Sequence, residues 1–173
     1  MSTSTKKVVF TRPYEHLIIG TCALEIATGK YFYFTPVMDG FSRAILNFSV
    51  GLSYHDDVFI ATLNQTLTVL KSPVILHLTH KDAAKSYKLH DYIAKSPIYT
   101  APEPNTPRLM HMTTFFAMLK KEFYNDHYEE INSQQELADE LKEWVYYYNY
   151  ERPQSATGGY PPIKVLKGLI SPN

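Results

Sequence analysis

In this 173-residue sequence Glu25, His77, His80 and His111 are candidates to ligate a transition metal. Imidazole nitrogens with a carboxylate oxygen suit zinc or a neighbouring metal. A plain role as polar surface groups competes with ligation for His80 and His111. Two further acids, Asp39 and Glu122, could do proton or metal chemistry. Asp39 precedes Gly40 at a break in an apolar run, which suits closing a turn, and Glu122 suits a helix face. The single Cys22 has apolar strand neighbours and nothing to activate its thiol, so it reads as a small buried residue. There is no glycine-rich phosphate loop and no Ser/His/Asp arrangement that spacing supports.

Nucleic-acid recognition is the second chemistry to weigh. Tyr146-Tyr147-Tyr148-Asn149-Tyr150-Glu151-Arg152 interleaves aromatics with a cation, a pattern that can stack bases. Packing of the same helix onto a sheet, with tyrosine tips in water, is the reading the pattern favours. Small basic groups occur at Lys6, Lys7 and Arg12, at Lys81, Lys85 and Lys88, and at Arg108, Lys120 and Lys121. Asp126, Glu129, Glu130 and Glu136 balance them, and Lys+Arg 17 equals Asp+Glu 17, so bulk charge gives no polyanion signal. One cysteine excludes a disulfide framework and a thiolate zinc site. At 45% hydrophobic and 20% charged the chain can build a core and is not a disordered tail. No apolar run reaches the ~18 residues needed to span a bilayer, and Met1 to Lys7 lacks a signal-peptide core. A soluble cytoplasmic protein with no membrane partner is expected.

The elements that must position these side chains follow from periodicity. His16 to Ile26, Tyr31 to Met38 and Arg43 to Val50 read as three strands joined by short turns, an antiparallel meander. In the third, Ile45, Asn47 and Ser49 are expected on one face and Leu46, Phe48 and Val50 on the other. Helical spacing then takes over from Val58 to Leu70, stopped by Pro73. A strand at Val74–Leu78, a helix near 82–95 and a strand at Ile98-Tyr99 follow. Pro102, Pro104 and Pro107 predict a loop. Leu109, Met112, Phe116, Leu119 and Phe123 mark the next helix, and Leu137, Leu141, Trp144 and Val145 mark one over 133–148. The tail beyond Pro153 reads as extended. The order predicts a mixed sheet covered by helices.

Two stretches carry a resemblance. One is Tyr33-Phe34-Thr35-Pro36-Val37-Met38-Asp39-Gly40-Phe41-Ser42-Arg43. The other is Leu119-Lys120-Lys121-Glu122, then Tyr148-Asn149-Tyr150-Glu151-Arg152-Pro153 and a late Tyr160-Pro161-Pro162. In this order and spacing, from about residue 15 to 168, the chain resembles the integrase core domain of insertion-sequence transposases, in the DDE transposase and retroviral-integrase superfamily. The resemblance implies an α/β, ribonuclease H-like fold: a five-stranded mixed sheet in order 3-2-1-4-5 with helices on both faces. It divides the chain into an N-terminal extension (1–14), a core (15–152) and a C-terminal tail packed on that core (153–173). Full transposases carry a helix-turn-helix region ahead of the core, and 14 residues cannot form one. A separately expressed core, or a fragment of a longer protein, is expected.

The family's chemistry uses two Asp and one Glu to hold two Mg²⁺ ions about 4 Å apart at a phosphodiester. By the motif spacing these positions fall here on Thr21, Thr79 and Thr113. All the acids are replaced by neutral hydroxyls, so no catalytic residue, metal site or cofactor is expected. Folding on the family's plan would bring Glu25, His77, His80 and His111 near those threonines as a residual polar site, although His77 matches a noncatalytic family position. Lys81, Lys85, Arg108, Lys120, Lys121 and Arg152 are the candidate nucleic-acid contacts. The expected function is a catalytically inactive integrase core acting as a nucleic-acid-binding or protein-interaction module, its partner being DNA, another protein or a second copy. A phosphodiester-transfer enzyme with a relocated site is the alternative.

Overall fold

The computed structural model describes residues 9–53, 55–70, 73–79, 85–101 and 106–170, with backbone alone for 106–109. Its sheet contains β1 (His16–Ile19), β2 (Cys22–Glu25), β3 (Tyr31–Asp39), β4 (Ile45–Gly51), β5 (Val74–Leu78) and β6 (Ile98–Thr100). β1 and β2 are one interrupted strand. Leu17 stands opposite Asp39, Ile19 opposite Val37 and Cys22 opposite Phe34, so no residue is gained or lost between the segments. The Gly20 N–H continues the ladder to the Pro36 carbonyl at 3.4 Å. β4 pairs with the other edge of β3, while β5 runs parallel to β1 and β6 parallel to β5. Counting β1 and β2 together gives the order 3-2-1-4-5, the ribonuclease H-like arrangement.

Helices cover both faces: α1 (Asp56–Leu67) and α2 (Tyr87–Ala94) on one, α3 (Thr106–Leu119) and α5 (Gln134–Tyr150) on the other. β1 is buried on both sides, which explains its unbroken apolar run. Leu17 and Ile19 pack with Phe59, Leu63 and Leu89, while Ile18 packs with Phe115, Leu141 and Trp144. At ~1.5–3 kcal/mol per large buried side chain these two layers dominate the stability.

Four details differ from expectation. A bulge at Val37/Met38 leaves Leu46 unpaired and reverses parity along β4. Ile45 therefore joins Phe48 and Val50 in the α3/α5 core rather than sharing a wet face with Asn47 and Ser49. Those two instead meet α1, where the Ser49 and Thr62 hydroxyls lie 2.7 Å apart. Pro107 lies within the first turn of α3, where its missing N–H is harmless, rather than in a loop. α3 runs into a π-helical turn (Lys120–Tyr124) and a last turn, α4 (Asn125–His127). The tail is also structured, with a 3₁₀ turn at Ser155–Thr157 and α6 (Pro162–Leu166), whose Val165 is fully buried.

Candidate functional site

Thr79 packs on Gly20, the residue before Thr21, where the ends of β1 and β5 approach α3. A Cβ at Gly20 would lie 2.6 Å from the Thr79 Oγ1 and 2.8 Å from the Met112 Cγ, so glycine is required for this contact. Thr113 follows Met112 and is exposed on α3. The sheet uses the two strand hydroxyls. Thr79 Oγ1 donates to the Ile19 carbonyl at 3.0 Å, beside its own N–H at 3.1 Å. Thr21 Oγ1 donates to the Phe34 carbonyl at 3.3 Å and accepts from Thr35 Oγ1 at 3.2 Å.

This donor set does not fit a magnesium pair. Mg²⁺ takes charged or strongly polar oxygens in tight octahedra, and loses its water reluctantly. Here the two strand positions offer neutral hydroxyls already turned into backbone bonds. Among the described residues, no group of three or more His, Cys, Asp or Glu side chains is placed to hold a metal.

The expected grouping of Glu25 with the histidines does not form. Glu25 ends β2, and its carboxylate accepts from the Tyr31 hydroxyl at 3.0 Å across the hairpin. His77 stands opposite Ile18, seven residues up the same strand, or ~23 Å at 3.3 Å per residue. What does come together is His77, His111 and His16 around Phe10, with ring centroids 5.8, 5.5 and 5.1 Å from the phenyl ring. His16 Nδ1 and His77 Nε2 lie 2.9 Å apart, so one ring donates to the other. Phe10 also packs on Gly40, whose ideal Cβ would meet the ring at 2.9 Å. Neither Phe10 nor His16 stands out in the sequence. The signal available was that positions 16 and 18 share a strand face, and that 18 pairs with 77. His80 and Lys81 lie outside the described residues, as does the side chain of Arg108.

Asp39 is the buried clamp of the β3–β4 turn. Its Oδ2 accepts from the Ser42 N–H (2.7 Å) and hydroxyl (2.6 Å), and its Oδ1 from the Tyr14 N–H (2.7 Å). Burial pushes its carboxyl above the ordinary value, against the pull of these donors and of His16. Glu122 holds Arg152 through both carboxylate oxygens, with Arg152 Nε at 2.6 Å from Oε2. The Arg152 hydrogen bond, then its charge, keeps the Glu122 carboxyl below the ordinary value. Arg152 is thereby tied down, while Lys85, Lys120 and Lys121 are exposed. Lys88 and Lys95 pair with Asp57 and Asp91. Cys22 is half-buried rather than buried, and burial raises its thiol despite nearby Lys120. Of the tyrosine run, Tyr148 is buried, whereas Tyr146, Tyr147 and Tyr150 are exposed.

The comparisons with known proteins agree with this geometry. The family model described as "Integrase core domain" matches residues 113–173. An "Uncharacterized transposase-like protein" of Haemophilus influenzae is 24% identical over 161 residues, covering 88% of this chain and 71% of that protein. Among solved structures, the HTLV-2 integrase catalytic core domain in complex with magnesium (trimeric form) superposes with a TM-score of 0.67. It is 11% identical, over 89% of this chain and 97% of that one. The simian T-cell lymphotropic virus intasome in complex with PP2A regulatory subunit B56 gamma gives a TM-score of 0.72 and 11% identity. That match covers 90% of this chain and only 55% of the intasome chain. The fold is that of an integrase catalytic core. The chain is similar to integrase and transposase core domains, the family-model match being confined to residues 113–173.

Proposed function

We propose that this domain is a non-catalytic integrase core that works by binding, with DNA, a protein or a second copy of itself as partner. The observation that carries this reading is the fate of the Thr21 and Thr79 hydroxyls. Where the family's chemistry needs carboxylates to gather divalent ions, both side chains are neutral and bonded into the sheet. Without about three negative charges converging there, no metal-activated hydroxyl forms and phosphodiester transfer has no catalyst.

The binding role draws on the relatives. The intasome match comes from a structure that also holds a PP2A regulatory subunit, and HTLV-2 cores are described in dimeric and trimeric forms. The exposed Lys85, Lys120 and Lys121 are the cations of the expected contact set that could meet phosphates. The test is incubation of the chain with Mg²⁺ or Mn²⁺ and supercoiled plasmid, alongside calorimetry with each metal. No nicking and no tight metal binding are expected. Metal-dependent nicking abolished by EDTA would overturn the reading in favour of a relocated active site. DNA binding measured against salt then separates the partners. A steep decline with salt points to phosphate contacts, and a flat response or no binding points to a protein partner.

A further inference from the structure

A cavity of about 210 Å³ opens where the β3–β4 turn, α3 and the segment after α5 meet. Its walls include Arg43, His111, Thr114, Arg152, Gln154 and Ser155, and no carboxylate among the described residues lines it. We propose that this cavity binds a small tetrahedral oxyanion, phosphate or sulfate, with Arg43 as its cation.

The donors carry the argument. Every one of the six polar side chains named can donate a hydrogen bond. Two of them hold buried donors or acceptors without partners: His111 Nδ1 and Gln154 Nε2. Gln154 is 6% exposed, and its Oε1 receives the Tyr148 hydroxyl at 3.5 Å, which leaves the amide N–H₂ as its free end. Buried donors without partners are rare in native proteins and point to an unrecorded acceptor.

Charge selects an anion. Arg152 is neutralised by Glu122, so it stiffens the wall rather than attracting a ligand. Arg43 is different: burial pushes its guanidinium down, and no carboxylate among the described residues pairs with it. Its backbone is held in the left-handed region at φ 66°, unusual for a residue with a side chain. Two bonds hold it there. The Arg43 N–H donates to the Asp39 carbonyl at 2.8 Å, and the Arg43 carbonyl accepts from the Tyr148 hydroxyl at 3.1 Å. Strained backbone of this kind clusters at functional sites, and here it sets the direction of the Arg43 Cα–Cβ bond at the cavity wall. The volume lies below the ~300–1,000 Å³ of sites for drug-sized ligands, which leaves room for a small oxyanion with water. This inference goes beyond the binding role proposed above and does not depend on it.

The oxyanion can be free or can terminate a nucleic-acid strand, and two arms distinguish these sources. In the first, thermal melting is followed against sodium phosphate and sodium sulfate, with sodium chloride at matched ionic strength. Phosphate and sulfate should raise the melting temperature saturably and chloride should not. Arg43→Gln removes the cation and Gln154→Glu sets a carboxylate at the free amide. Each should weaken binding tenfold or more, and the pair keeps the test valid if one variant fails to fold. In the second arm, oligonucleotides with a 5′-phosphate or a 5′-hydroxyl are compared by anisotropy. A preference for the phosphate that both variants abolish assigns the site to strand ends, and its absence alongside a positive first arm assigns it to free oxyanions. If neither arm shows a response, or if the folded variants bind as the parent does, the proposal falls.

Discussion

Asn149 and Ile45 exchange two hydrogen bonds across 104 residues of chain: Asn149 Oδ1 accepts from the Ile45 N–H at 2.9 Å, and Nδ2 donates to the Ile45 carbonyl at 2.8 Å. With Tyr148 on the Arg43 carbonyl, this ties the end of α5 to the start of β4. Asn149→Leu has nearly the same shape but leaves both buried peptide groups unsatisfied. Urea unfolding should show a loss of about 2–4 kcal/mol. A value within about 0.5 kcal/mol of the parent, the range of neutral surface changes, would mean that water replaces the amide without cost.

Gly20 is a steric requirement. Gly20→Ala drives a methyl group into Thr79 Oγ1 and Met112 Cγ, and should destabilise by about 1–3 kcal/mol. Thr79→Ala removes one of the two obstructing atoms, so the double variant should lose less than the single changes added together. A double-mutant cycle reads this coupling directly, and strict additivity would contradict the contact.

Restoring acids should not help the metal-free fold. Thr21→Asp with Thr79→Asp adds two negative charges in place of hydroxyl donors, one against the Phe34 carbonyl and one against the Ile19 carbonyl. Melting in EDTA should fall, with a cost of about 1–3 kcal/mol. A rise in stability without metal would show that loss of the acids brought the fold no relief.

Two groups with folded pKa values below their unfolded ones make stability fall in acid. Glu122 has its carboxyl lowered by Arg152, so its contribution is present above the unfolded value of 4.5 and is lost as pH drops through the lower folded value. For this partly exposed pair that contribution is about 1 kcal/mol. His111 is held down to about 4, first by burial and then by the Arg43 charge. The unfolded chain takes up its proton near 6.5 and the folded chain only near 4, so stability declines as pH falls through that window, by about 2 kcal/mol after solvent screening. Denaturant titrations from pH 7.5 to 4.5 should show this slope, and His111→Phe should flatten its upper part while Glu122→Gln leaves that part unchanged.

The order of elements and the helix-covered mixed sheet were readable because apolar period two gives way to helical spacing near Val58; the strand order followed from the family resemblance alone. Thr21 was assigned by counting back from Asp39 in the motif Asp39-Gly40-Phe41-Ser42-Arg43, and Thr79 by matching His77-Leu78-Thr79 to the family's fourth strand. The β4 bulge was not, since one unpaired residue at Leu46 leaves no mark in a run of alternating types and yet moves Ile45 to the opposite face. Nor were the partners of Phe10, because three histidines far apart in sequence meet only after β1 and β5 pair in register. Glu25 was misplaced for a related reason: sharing a strand face with Thr21 says nothing of the length of strand between them. The Arg43 cavity needed the end of α5 folded back on the β3–β4 turn, a contact that no local pattern encodes.

The π-helical turn at Lys120–Tyr124 has a consequence for helix phase. A wider turn accommodates one residue more than an α-turn, so each side chain after Leu119 sits rotated by about a third of a turn from where unbroken α-periodicity would put it. That rotation is what lets Glu122 reach Arg152 while Tyr124, two residues on, accepts the Glu25 N–H at 2.8 Å on β2. The bend in phase is a reversible feature of the chain's length: deleting one residue among 120–124 would return the helix to a single winding. It would keep all of α3 above the sheet and break both of these contacts together.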